Sequence, residues 1–137
     1  MRRIAGMMLA GLATFDIGAM DAIAGPLTAR DLQGSWKLVE IKSRPVRPVA
    51  ANALPGFTIK DQSIEGFDGC NTFAGHLDQP GSIVATRRGC PEKVLKLPLD
   101  LADPMSHLRA GKIDRARLVL PARGPIPASA FGSFGAK

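Results

Sequence analysis

The sequence predicts an α+β domain, mainly antiparallel β, with a curled sheet or partial barrel packed around one short helical segment. Three observations carry that prediction. Short apolar runs with period-two alternation recur between residues 35 and 121, Gly, Pro, Asp and Asn punctuate them, and only the stretch near 91–111 has helical composition. Strands and helices do not alternate as a doubly wound nucleotide fold requires. With 137 residues, 45% of them hydrophobic, the chain is long enough to bury one core.

The elements follow in order. "LQGSWKLVEIK" predicts a first strand over 35–42, with Trp36 and Leu38 facing one way and Val39 and Ile41 the other. The prolines of "SRPVRPVAANALPG" make the next stretch a loop across one end of the sheet. In "FTIKDQSIEGF", Phe57 and Ile59 alternate, "KDQ" turns and Ile64 begins the return strand, which is the pattern of a hairpin. "CNTFAGHL" and "SIVATRR" form a further strand pair joined by "DQPG". Pro98 and Pro104 exclude one long helix across "PEKVLKLPLDLADPMSHLRAG". A turn near 91–97 and a helix capped by Asp103 are expected instead, with Pro104 in first position and Gly111 as the stop. "RARLVL" is the last clear strand, and residues 122–137 form a Gly- and Pro-rich tail, either an edge strand or disordered.

Residues 1–24 stand apart from this pattern. Two arginines after Met1, an apolar run from Ile4 to Phe15, and Ala22 and Ala24 flanking Ile23 have the layout of a signal peptide cut after Ala24. An N-terminal amphipathic helix is the alternative, favoured by Asp16 and Asp21. The apolar run is shorter than the roughly 20 residues a bilayer requires, so no stable membrane span is expected. No cysteine precedes the cut, so no lipid anchor is expected either. The chain is read as periplasmic or secreted.

The net charge of +6 suggests weak attraction to anionic surfaces. The basic residues are dispersed, Tyr is absent and the only Trp sits in a predicted core strand, so a base-stacking platform is hard to build and no nucleic acid partner is expected. Cys70 admits three readings. As a nucleophile it requires a base, His76 or His107. In an extended strand residues 70 and 76 lie about 20 Å apart, at roughly 3.3 Å per residue, which sets His76 aside. Spacing does not set His107 aside as the base; its other reading is an exposed helical residue near a helix C-terminus. As a metal ligand Cys70 lacks a closely spaced partner, because Cys70, His76, Cys90 and His107 contain no C-x2-C or H-x3-H pair. In an exported chain, two cysteines are placed to form a disulfide, and closing the loop from Cys70 to Cys90 stabilises a fold by about 3 kcal/mol. No catalytic residue, metal or cofactor is expected.

The landmarks "LQGSWKLVEI", "GFTIKDQSIEGFDGCNTFAGHL", "ATRRGCPEKV" and "GKIDRARLVL" resemble the META domain of the HslJ-like heat-shock family. The motif positions are Gly34 and Trp36 upstream, then Gly66, Gly69, Cys70, Asn71, Phe73 and Gly75, then Thr86 and Cys90. The similarity runs over residues 31–121, within a domain taken as 25–121. It implies a compact antiparallel sheet curled around a helix, exported or envelope-associated, without established catalytic activity and linked to stress tolerance. Two departures stand out: Pro98 and Pro104 interrupt the usual helix, and the Gly/Pro-rich tail replaces the usual last strand. The expected role is a non-enzymatic, monomeric envelope domain with an unknown envelope component as partner. The alternatives are a carrier of a small apolar ligand or lipid, and a protein interaction module.

Overall fold

The structure is a computed structural model of the chain, and it describes residues 25–47 and 54–134. The signal peptide reading of residues 1–24 lies outside the described residues. The strands are β1 (Gly34–Ile41), β2 (Arg44–Pro45), β3 (Gly56–Lys60), β4 (Ser63–Phe67), β5 (Thr72–His76), β6 (Val84–Ala85), β7 (Lys112–Asp114), β8 (Arg117–Leu120) and β9 (Ser129–Phe134), with one helix, α1 (Pro104–Arg109), between β6 and β7. They form one antiparallel sheet in the order β6-β5-β4-β3-β1-β9-β8-β7, with β2 paired to β1. The sheet is open, with β6 and β7 at its two ends. The α+β, mainly β architecture agrees with the sequence, and the curl does not close.

Alternation explains which side chains bury. Trp36, Leu38, Phe57, Ile59, Ile64, Phe73, Leu118, Leu120 and Phe131 point to one face and make the core with Leu27, Leu32, Leu97, Leu99 and Leu108. Phe57 and Phe131 meet edge to face at 5.2 Å between centroids. The Trp36 indole Nε1–H donates to the Leu32 carbonyl at 2.9 Å, so the buried ring leaves no orphan donor. A helix of six residues has too few turns to stand alone, and Leu108, fully buried, fixes it to the sheet. Asp103 caps it by accepting from the Ser106 N–H, and Pro104 occupies its first turn, as the sequence predicts. At its end Gly111 packs so closely that a Cβ there would sit 2.7 Å from Leu120 Cδ2.

Four sequence readings are corrected. The tail does not form an edge strand: β9 lies between β1 and β8, and Phe131 is fully buried. Its outward residues are small for a reason. Arg117 on β8 reaches across Ala130 and Gly132 to Glu40 on β1, with Nη2 and Oε2 2.6 Å apart. Ile41 does not face away with Val39, because a bulge between Leu38 and Glu40 shifts the register and returns Ile41 to the core side. "SIVATRR" supplies only the two residues of β6, since the chain leaves the ladder at Thr86 for the cysteine corner. "KID" is a strand, β7, that the sequence reading passed over.

Candidate functional site: the cysteine corner

The motif residues gather where the β4–β5 connection meets the segment after β6. Asp68 begins the turn: its Oδ1 accepts from the backbone N–H groups of Cys70 (2.9 Å) and Asn71 (2.6 Å), while its own N–H donates to the Asn71 carbonyl (2.9 Å). This is the Asx-turn chemistry that a short acidic side chain offers two residues ahead. Gly69 inside the turn has φ +110°, a backbone angle that L side chains rarely adopt. A Cβ at Gly69 would also overlap the Leu95 carbonyl oxygen, because the 95–97 segment crosses directly over the turn. The Leu97 N–H donates to the Asp68 carbonyl at 2.7 Å and holds that crossing in place.

Asn71 joins the turn to the second segment. Its side-chain Oδ1 accepts from the Arg88 N–H (2.7 Å) and from the Thr86 hydroxyl (3.0 Å). The Thr86 Oγ1 accepts in turn from the Thr72 N–H (3.2 Å), and the Thr86 N–H donates to the Thr72 carbonyl (3.0 Å). Cys70 and Cys90 stand at disulfide distance beside this network, with Cα atoms 6.0 Å apart, inside the range that a bridge spans. The remaining motif positions serve packing. A Cβ at Gly66 would come 2.7 Å from Phe73 Cζ and 2.9 Å from Phe57 Cα, and one at Gly75 would come 2.7 Å from Ile83 Cα. A Cβ at Gly66 would also overlap the Gly56 carbonyl, so both glycines mark places where neighbouring backbone as well as side chains approach too closely for a Cβ. Phe73 on β5 is buried, paired across the ladder with Gly66 on β4.

The structure brings Gly69, Cys70, Asn71, Thr86 and Cys90 together, while Gly34 and Trp36 sit on β1, in the body of the sheet. Asp68 was missed by the sequence reading, although "DGCN" carries the signal of an Asx turn. His76 is exposed at the end of β5, its backbone N–H bonded to the Ser82 hydroxyl. His107 is corrected from exposed to buried, with 1% of its surface accessible. Its Nδ1 accepts from the Asp100 N–H (3.2 Å), which makes Nε2–H the donor to the Pro121 carbonyl (3.0 Å). Both ring nitrogens are thus engaged by backbone groups. Sequence gave no sign of this because both partners come from loops flanking the helix. Among the described residues no three His, Cys, Asp or Glu side chains cluster in a way that could hold a metal ion.

Elsewhere, Asp31 accepts from the N–H and the hydroxyl of Thr28, and these two bonds, helped by Arg30, hold its carboxyl below its ordinary value near 3.8. A cleft of about 430 Å³ opens against the cysteine corner, bounded by Asp68, Arg88, Val94, Lys96, Leu97 and Leu101. No helix among the described residues is long and apolar enough to cross a membrane.

The family model of the META domain matches residues 28–126. Neither a search of curated proteins nor one of solved structures returned a match. With the match spanning the sheet from before β1 to beyond β8, the chain belongs to the META domain family.

Proposed function

We propose that the protein is an exported, non-enzymatic META domain that helps maintain the bacterial cell envelope under stress. One observation supports this reading above the others: the side-chain oxygens of the motif residues Asn71 and Thr86, and of Asp68 beside them, are engaged within the corner. Asn71 Oδ1 takes two donors, Thr86 Oγ1 takes the Thr72 N–H, and Asp68 Oδ1 takes two backbone donors. A corner wired in this way supports a structural role for the motif. The cysteine pair at disulfide distance fits an oxidising compartment, where such bridges persist. A carrier of apolar ligands has less support, because the buried apolar face of the sheet is packed with the chain's own Leu, Ile and Phe side chains.

Cell fractionation tests the compartment, and native mass spectrometry of protein purified from its source tests the role. The expected result is protein outside the cytoplasm, beginning near Gly25, with no copurifying apolar ligand and no turnover in a hydrolase panel. Intact Met1 in the cytosol would overturn the export reading, turnover the non-enzymatic one, and a copurifying lipid would favour the carrier.

A further inference from the structure

The segment from Thr86 to Lys96 has no helix or strand, yet it is braced at three points. Thr86 is bonded to Thr72, the Arg88 N–H to Asn71, and Cys90 lies at disulfide distance from Cys70. It carries Arg87, Arg88, Lys93 and Lys96, all exposed, against one carboxylate, Glu92. Among the described residues, ion pairs are made by Arg117 with Glu40 and by Arg123 with Asp100, and none of these four cations makes one. Arg88 and Lys96 border the cleft at the corner, whose apolar wall is Val94, Leu97 and Leu101. The acidic side chain in that cleft, Asp68, is committed through Oδ1 to the Cys70 and Asn71 N–H groups.

Unpaired cations held on a braced loop lose little freedom when they meet an anionic partner. Cations beside an apolar wall match the boundary between phosphate headgroups and acyl chains. They do not match a nucleic acid strand, because the 86–96 segment has no aromatic side chain on which bases could stack. We propose that this loop is a docking surface for an anionic phospholipid bilayer, with the Arg88–Lys96 cleft receiving a headgroup phosphate. The proposal rests on the charge and bracing of the loop and does not depend on the stress role.

The test is cosedimentation with vesicles, using the protein as recovered from its source. Phosphatidylcholine vesicles are compared with vesicles that also contain phosphatidylglycerol, at low and at physiological salt. The expected result is binding to the anionic vesicles alone, weakened by salt as charge screening requires. Each basic residue near such a surface contributes about fivefold, so Arg88→Glu with Lys96→Glu lowers binding by roughly 25-fold or more. Arg44→Glu with Lys112→Glu makes the same change in net charge on exposed residues of β2 and β7 and keeps most of the binding. Circular dichroism confirms that both pairs fold. Equal loss in the two pairs would overturn the proposal by reducing it to net charge. Binding of inorganic phosphate without vesicle binding would also overturn it, as would retention on duplex DNA equal to that on anionic vesicles.

Discussion

Gly69→Ala and Gly34→Ala separate two ways in which a glycine holds this fold. The two positions have nearly the same φ, +110° at Gly69 and +109° at Gly34, so alanine meets a conformational penalty at each. That penalty is about 1–3 kcal/mol for a side chain held in a sparsely populated region. The surroundings differ. At Gly34 an added Cβ meets nothing within 4 Å, whereas at Gly69 it overlaps the Leu95 carbonyl and lies 2.9 Å from the Leu95 carbonyl carbon. Relieving that overlap requires moving the 95–97 segment, which the Leu97 N–H bond to Asp68 resists, and overpacking of this kind adds about 1–3 kcal/mol. Gly34→Ala is therefore expected to lose about 1–3 kcal/mol and Gly69→Ala about 2–6 kcal/mol. Gly89→Ala is the neutral reference, since its φ is ordinary and nothing lies within 4 Å of the added Cβ. Urea unfolding with unchanged slope reads all three as midpoint shifts. Gly69→Ala no more destabilised than Gly34→Ala would refute the idea that close approach of the 95–97 segment fixes the corner.

Three further outcomes are expected. Arg115 and Ala116 form the β7–β8 turn with φ 48° and 62°, so Ala116→Gly relieves a left-handed alanine and raises stability by about 0.5–1 kcal/mol after the entropy of the glycine is counted, read as a higher thermal midpoint. His107→Leu leaves the Asp100 N–H and the Pro121 carbonyl without their buried partner and lowers stability by about 2–4 kcal/mol in chemical denaturation; a loss no larger than that of an exposed substitution would mean that the ring nitrogens are not engaged. The Asp31 carboxyl is depressed, so its contribution is present above the ordinary value near 3.8 and disappears as pH falls below it; a carboxyl NMR titration finds its midpoint below that value, and Thr28→Ala moves it upward.

Local chemistry made much of the fold legible. The Phe57–Ile64 hairpin, the Asp103–Pro104 helix start and the alternation at Trp36 and Leu38 all follow from signals within a few residues. Where the sequence misled, a distant partner decides. β9 reads as a weak tail because Ala130 and Gly132 are small, and they are small where the Glu40–Arg117 pair crosses the strand. β6 stops after two residues because Asn71, on another strand's approach, captures Thr86 and Arg88. Ile41 changes face through one bulge residue, which no period-two pattern announces. At the corner itself the residue types were legible, while the bond pattern that makes Asn71 the hub required the geometry.

The family motif acts as a structural staple if a bridge between Cys70 and Cys90 closes it. Non-reducing peptide mapping of protein recovered from its source, alkylated before digestion, tests it most directly. A single linked peptide pair containing Cys70 and Cys90 is the expected result, lost on reduction, with Cys70→Ser/Cys90→Ser lowering stability by about 3 kcal/mol. Alkylation of both thiols without reductant would contradict the claim.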